Sequence, residues 1–173
     1  LESASYHVNN GASPYIYIAI RRPQKKPEVG TEAFMPILKS GQQTMNVGFK
    51  ADMAISANRG SSTSLAHIIE TRATMGYMRT ASGSPDSGTQ LYKWDQGTDL
   101  TLWGATGTFL NLVFKRARGF MDIMLHQGVG SATNVYHGLG VAPEMIWVKR
   151  RSSTEDWAVY HVGTGATKYL ALN

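Results

Sequence analysis

Gly48-Phe49-Lys50-Ala51-Asp52-Met53-Ala54-Ile55-Ser56-Ala57-Asn58-Arg59 and Gly140-Val141-Ala142-Pro143-Glu144-Met145-Ile146-Trp147-Val148-Lys149-Arg150-Arg151 are two readings of one pattern. Each opens on glycine, places its one acidic residue fifth, runs through apolar residues and closes on arginine. The offset is 92 (48 to 140), and the match extends without a gap past a Ser/Thr-rich run to Leu65 and Trp157. A second match sets Ile18-Ala19-Ile20-Arg21-Arg22 against Leu112-Val113-Phe114-Lys115-Arg116 at an offset of 94. Similarity at a fixed period of this length is the mark of a supersecondary unit copied in tandem. Extended structural and adhesive proteins use such copying routinely.

The copied runs are β in character. Pro14-Tyr15-Ile16-Tyr17-Ile18-Ala19-Ile20 is β-branched and aromatic and alternates between two faces. Leu110-Asn111-Leu112-Val113-Phe114, Phe120-Met121-Asp122-Ile123-Met124-Leu125, Met145-Ile146-Trp147-Val148-Lys149 and Trp157-Ala158-Val159-Tyr160-His161 behave alike. Several are apolar on both faces, as strands covered on both sides require. Residues 64–74 have a weak helical reading, but the counterpart at 156–166 holds Val159, Tyr160 and two glycines, so a strand is expected in both. Residues 81–88 and 128–134 are loops by their glycine, serine and proline content.

The fold expected is all-β: tandem antiparallel β-sandwich units of about 92 residues, the first and last incomplete. Residues 1–30 hold the closing strands of one unit and a connector stiffened by Pro23 and Pro27. Residues 31–118 form a complete unit, and residues 119–173 open the next. The chain starts at Leu1 with no charged-then-apolar leader and reads as an ordered fragment of a longer polypeptide. Each partial unit, alone, exposes apolar strands to water. Completion is expected from missing parts of the same polypeptide, from neighbouring protomers, or from each other across a subunit boundary. Strand addition is the natural mode, and a homo-oligomer the natural outcome.

Composition narrows the chemistry. The chain has no cysteine, which removes disulfide frameworks, thiolate zinc sites and cysteine nucleophiles and suits synthesis in a reducing cytosol. A hydrophobic content of 42% supports real cores. The net charge of +5 is spread along the chain, but basic residues cluster at Arg21/Arg22/Lys25/Lys26, Lys115/Arg116/Arg118 and Lys149/Arg150/Arg151, each after an apolar run. These read as solvated strand ends that discourage edge pairing. A nucleic-acid footprint is the weaker alternative, because no aromatic-interleaved module accompanies the charge.

No motif of catalytic grade is present. Gly163-Thr164-Gly165-Ala166-Thr167-Lys168 lacks the glycine before the lysine, and Tyr169 stands where Ser or Thr belongs, so it reads as a turn and not a phosphate loop. His126, His137 and His161 fall in one incomplete unit, but surface histidines explain them better than a metal site. Trp147 and Trp157 map onto Ile55 and Leu65, so they read as core positions of variable volume rather than sugar platforms. Trp94 and Trp103 have no visible second copy. Asp52/Glu144 is the one acidic position matched in both units, and its place beside a turn suggests a structural role. No catalytic, cofactor-binding or metal-binding residue is therefore expected, and binding residues are not assignable.

The stretch His137-Gly138-Leu139-Gly140-Val141-Ala142-Pro143-Glu144-Met145-Ile146-Trp147-Val148-Lys149, then Trp157 to His161 and Ala166-Thr167-Lys168-Tyr169-Leu170-Ala171-Leu172-Asn173, resembles a repeat module of virion structural proteins of tailed phages, marine and cyanophage types especially. Tyr15-Ile16-Tyr17-Ile18-Ala19-Ile20-Arg21-Arg22-Pro23 and Phe114-Lys115-Arg116-Ala117-Arg118-Gly119-Phe120 resemble the other end of that module. The first unit departs from it, with Ala51 where Pro143 stands and Ile69 where His161 does. The resemblance implies a β-rich, multi-copy component of a phage tail fibre, appendage or capsid decoration, made in the host cytoplasm and carried in the virion. It implies partners that are copies of itself, other virion proteins and a host surface glycan, with no membrane insertion. The rival expectation is a carbohydrate-binding or glycan-cleaving module, which would place a carboxylate pair along an aromatic groove.

Overall fold

The computed structural model describes residues 14–20, 30–42, 44–60, 67–74, 76–80, 83–102 and 106–172. Its strands are β1 (Pro14–Ile20), β2 (Phe34–Ser40), β3 (Thr44–Asn46), β4 (Met53–Asn58), β5 (His67–Thr71), β6 (Met78–Arg79), β7 (Tyr92–Gln96), β8 (Asp99–Leu102), β9 (Thr108–Phe114), β10 (Met121–Gln127), β11 (Met145–Arg150), β12 (Ala158–His161) and β13 (Leu170–Ala171). A 3-10 turn, Gly30–Glu32, precedes β2. The protein is all-β, and every strand pair is antiparallel. The strands expected within residues 64–74 and in their counterpart at 156–166 are present as β5 and β12.

The strands form three sheets with orders β10-β1-β11-β12-β13, β2-β9-β4-β5-β6 and β3-β8-β7. The two five-stranded sheets have the same order of equivalent strands, and their registers agree closely. Phe114 of β9 faces Met53 of β4, and Ile20 of β1 faces Met145 of β11. The offsets of 92 and 94 read from the sequence are therefore both present in the pairing. The turn before β4 and the turn before β11 also match, with Gly48 at φ 75° and Gly140 at φ 73°, a conformation that L side chains resist. One expected correspondence shifts. Met53 pairs with Thr71 whereas Met145 pairs with His161, an offset of 90 for the second strand of each hairpin. His161 thus stands opposite Thr71's place and not Ile69's, because strand pairing sets the correspondence and the intervening loops differ by two residues.

The chain gathers into two compact units. One comprises Lys25–Arg79 and Ser87–Arg116, and the other Leu1–Gln24, Thr80–Asp86 and Ala117–Asn173. Where the sequence suggests three pieces, 1–30, 31–118 and 119–173, the strands of the outer two share one sheet. The open ends complete each other within a single chain, with β1 paired to both β10 and β11. The Pro23/Pro27 connector lies outside the described residues.

The unit Lys25–Arg79 plus Ser87–Arg116 is a two-sheet sandwich. β9 alternates, with Phe109, Asn111 and Val113 buried and the residues between them half-buried. That buried face meets β3-β8-β7 through a cluster that includes Met45, Ala54, Trp94, Leu100, Leu102 and Val113. Removing these side chains from water drives the sheets together at about 25 cal/mol per Å² of apolar surface. Two polar devices lie inside. Ser56 of β4, Tyr92 of β7 and Asn111 of β9 form a buried triad. Ser56 Oγ donates to Asn111 Oδ1 at 2.5 Å, Tyr92 OH donates to the same oxygen at 2.6 Å, and the Ser56 and Tyr92 oxygens touch. Asn111 Nδ2 in turn donates to Ile37 O and Phe109 O, both at 3.3 Å. Burial pushes the Tyr92 phenol well above its ordinary pKa.

The second device is Glu70, a carboxylate on β5 with no solvent exposure. Its Oε1 accepts from Trp94 Nε1 at 2.8 Å and Tyr92 N at 3.2 Å, and its Oε2 from Leu91 N at 2.7 Å. It thereby fastens one sheet to the backbone of the other with charge-assisted bonds.

Candidate assembly interface

In the unit that contains both chain ends, the sheet is organised around β1. Seven residues of β1 pair with β10, from Pro14 opposite Gln127 to Ile20 opposite Met121. On its other side Tyr15 to Ile20 pair with Arg150 to Met145 of β11. β10 and β11 do not pair with each other among the described residues. The seat of β1 is therefore a slot with a ladder on each wall. A strand leaving it would strand two rows of backbone donors and acceptors.

The β11 wall is fixed from behind by its basic residues. Lys149 is fully buried. Its Nζ donates to Gly83 O at 2.6 Å and to Glu155 O. Arg151 donates to Asp86 Oδ2 through Nε at 2.9 Å and Nη2 at 2.5 Å, and Arg150 lies 3.6 Å from Glu155. Backbone bonds from Glu155 N to Gly83 O and from Asp86 N to Arg151 O, at 2.8 Å and 3.0 Å, complete the attachment of Thr80–Asp86. This corrects the expectation of solvated strand ends at Lys149/Arg150/Arg151. The cations point at carbonyls and carboxylates of their own unit. Burial lowers the Lys149 amine to a pKa of about 8 from 10.5, against the attraction of Asp156 and Glu155. The cluster Lys115/Arg116/Arg118 is exposed, with Arg116 reaching Asp52 at 3.7 Å. The first cluster, Arg21/Arg22/Lys25/Lys26, lies outside the described residues.

The other candidate residues take local roles. Asp52 accepts from Arg116 N at 2.8 Å and lies 3.6 Å from Arg72, so it ties β4 to the ends of β9 and β5. His137 accepts from Leu139 N at 3.3 Å, and His161 accepts from Gly163 N at 3.0 Å. His126 stands on β10. Among the described residues no group of three or more His, Cys, Asp or Glu is placed to hold a metal ion. Gly163 to Lys168 is a turn, closed by Thr164 N and Thr164 Oγ1 on His161 O. Trp157 is fully buried and meets Trp147 edge-on, with centroids 6.5 Å apart and planes at 81°. Trp157 is therefore core and not a sugar platform. Trp94 is core as well, and Trp103 lies outside the described residues.

Aromatic exposure lies elsewhere. Tyr136 is 87% exposed and Tyr169 61%. Leu170 opens β13, the two-residue edge strand of the same sheet, and Tyr169 immediately precedes it. An isolated tyrosine in a loop carries no periodic signal in the sequence.

Comparison with known proteins adds one match. A family model described as a domain of unknown function, DUF7483, matches residues 105–173. That stretch runs from just before β9 to the end of the chain and contains β10, β11, β12 and β13. No curated protein and no solved structure matches the chain.

Proposed function

We propose that this protein is a non-enzymatic structural component of a tailed-phage virion, in a tail fibre, appendage or capsid decoration. It is built from copies of one β-sandwich module and assembles with copies of itself and with other virion proteins. The observation that carries the reading is the pair of five-stranded sheets with equivalent strand orders and matching central registers. A module copied along a chain suits a repetitive particle, and a reaction centre needs no such copying. The resemblance of residues 137–173 to phage structural modules supplies the particle. Multiplicity lets weak contacts with a host surface act together, and Tyr136 is an exposed aromatic side chain suited to them.

The test is composition of the particle. Peptides of this chain should co-purify with intact virions in tens of copies or more, and antibody against it should decorate a repeated feature in electron micrographs. Absence from purified particles overturns the reading. Turnover of host polysaccharide by the purified chain, abolished by one carboxylate substitution, overturns the non-enzymatic part.

A further inference from the structure

We infer that Asp122 guards the β10 edge: its carboxylate caps the outward amide of Ile123 and so keeps β10 from pairing with the β10 of a second copy. Pro36 does the same work at the equivalent place of β2. β10 and β2 are outer strands of the two five-stranded sheets and have seven residues each, whereas the opposite edges, β13 and β6, have two apiece. A long unpaired edge is a template for another strand unless something closes it.

The backbone bonds show which residues of β10 face outward. Met121 N donates to Ala117 O at 3.1 Å and Met121 O accepts from Ala117 N at 3.0 Å, so Met121 turns its backbone away from β1. Backbone direction alternates along a strand, so Ile123, Leu125 and Gln127 face outward as well. Asp122 Oδ1 accepts from Ile123 N at 2.9 Å, and Asp122 Oδ2 accepts from Gly138 N at 2.5 Å. The carboxylate thus takes the donor that an added strand would need and ties Gly138 beside it. Leu139 O accepts from Gly119 N at 2.9 Å, which holds this loop against the turn into β10.

β2 reaches the same end by different chemistry. Lys115 N donates to Ala33 O at 2.9 Å and Gly41 N donates to Gly107 O at 2.8 Å, so Phe34, Pro36, Leu38 and Ser40 face outward. Pro36 stands opposite Leu112, which stands opposite Ile55. Ile123 stands opposite Ile18, which stands opposite Trp147. Pro36 and Ile123 therefore occupy one place in the two copies. One has no N–H, and the other has its N–H taken. The next outward residue is leucine in both, 51% exposed at Leu38 and 50% at Leu125. Two unrelated devices remove the same donor, so its removal is what the fold preserves. A second copy added about a two-fold axis at Leu125 would pair Leu125 with itself and Ile123 with Gln127, through about six backbone bonds. The guard removes one donor from each molecule. Copies of the chain then meet through surfaces other than these edges, whatever particle they belong to.

The absence of cysteine permits a direct test. Full-length L125C and D122A/L125C chains are oxidised mildly over a range of protein concentrations. In the two-fold contact the substituted positions lie about 5.5 Å apart between Cα atoms, within disulfide reach. The D122A/L125C chain should give a linked dimer whose yield rises with concentration and exceeds that of L125C about tenfold, as two restored bonds imply. D122N/L125C keeps an acceptor oxygen for Ile123 N and should stay close to L125C. P36A/L38C against L38C repeats the test on β2, in case circular dichroism shows that loss of the carboxylate disturbs folding. No gain over the single variants at either edge overturns the inference. A gain at β2 alone, with D122A/L125C folded, overturns the role of Asp122. Equal gains in D122A and D122N do so too. Equal linkage of D122A/V129C, at an exposed loop position outside the sheet, marks random collision and also overturns it.

Discussion

Replacing Glu70 by alanine should cost the sandwich about 3–5 kcal/mol. The carboxylate is fully buried and accepts from Leu91 N, Tyr92 N and Trp94 Nε1. Tyr92 and Trp94 are buried as well, so their donors find no water when the acceptor goes, whereas Leu91 is only half-buried. Each buried donor left unpaired costs about 1–3 kcal/mol. Two such donors give about 2–6 kcal/mol, and the cavity left by the removed carbons adds roughly 1 kcal/mol. Release of the carboxylate's own desolvation cost offsets part of this and brings the net to the middle of the range. That is a large fraction of the 5–15 kcal/mol typical of a folded protein. Urea unfolding read by tryptophan fluorescence measures the loss. Amide exchange at Leu91 and Tyr92 locates it, and both amides should lose protection first. Glu70→Gln keeps one acceptor oxygen but turns an NH2 toward a donor, so it should cost about 2 kcal/mol. Loss of less than 1 kcal/mol in Glu70→Ala, or a glutamine variant weaker than the alanine one, would refute the account of Glu70 as the tie between sheets.

Three further outcomes are expected. Lys149 has a folded pKa of about 8 against 10.5 in the unfolded chain, so between those values the unfolded state binds the extra proton and stability rises with pH. That increment, roughly 3 kcal/mol at most, should be complete above pH 10.5, vanish as pH falls below 8, and be missing from the pH profile of Lys149→Met. Gly140→Ala should cost more than Gly48→Ala. Both glycines have φ near +75°, about 1 kcal/mol against alanine, but at Gly140 the new Cβ would meet Arg118 Nε at 2.6 Å while at Gly48 nothing lies within 4 Å. Equal melting temperatures would show that Arg118 yields freely. Finally, Asn111→Leu removes the common partner of Ser56 and Tyr92 and should destabilise by about 2–4 kcal/mol, with Ser56→Ala/Tyr92→Phe added on top recovering part of the loss. A triple variant no more stable than Asn111→Leu alone would argue against the triad acting as a unit.

Much of this fold is legible in the sequence because a strand advertises itself locally. The paired runs at Met53 and Met145 are strands, and the match of Ile20 with Phe114 reappears as the same place opposite β11 and β4. What sequence leaves hidden is nonlocal or directional. Nothing in residues 14–20 states which sheet they enter, because β partners are chosen across the chain and the side-chain period is the same for all of them. Nor does Lys149-Arg150-Arg151 reveal that it points inward. A lysine becomes buried only where carbonyls converge, and Gly83 and Glu155 converge on it from distant parts of the sequence. The shifted place of His161 has the same origin, since loop lengths are read from residues but strand registers from partners. Gly48 and Gly140 stand at matched places in the two runs, and both adopt the left-handed conformation that favours glycine. Among site residues, Trp157 is core as its apolar strand suggests, but the 90-residue offset of its strand aligns it with His67 and not with Leu65, so the aliphatic counterpart is not the reason. The exposed tyrosines left no such trace.

β1 shares a sheet with β13. The unit Lys25–Arg79 plus Ser87–Arg116 is spliced into the other unit, so its sandwich lies outside the direct mechanical path. Tension applied ahead of β1 and beyond β13 is carried across the ladders from β1 to β11, β12 and β13. The spliced sandwich feels no stretch until β1 is torn from its slot. The β1 ladder then works as a fuse, and its rupture releases the length of a whole folded unit as slack.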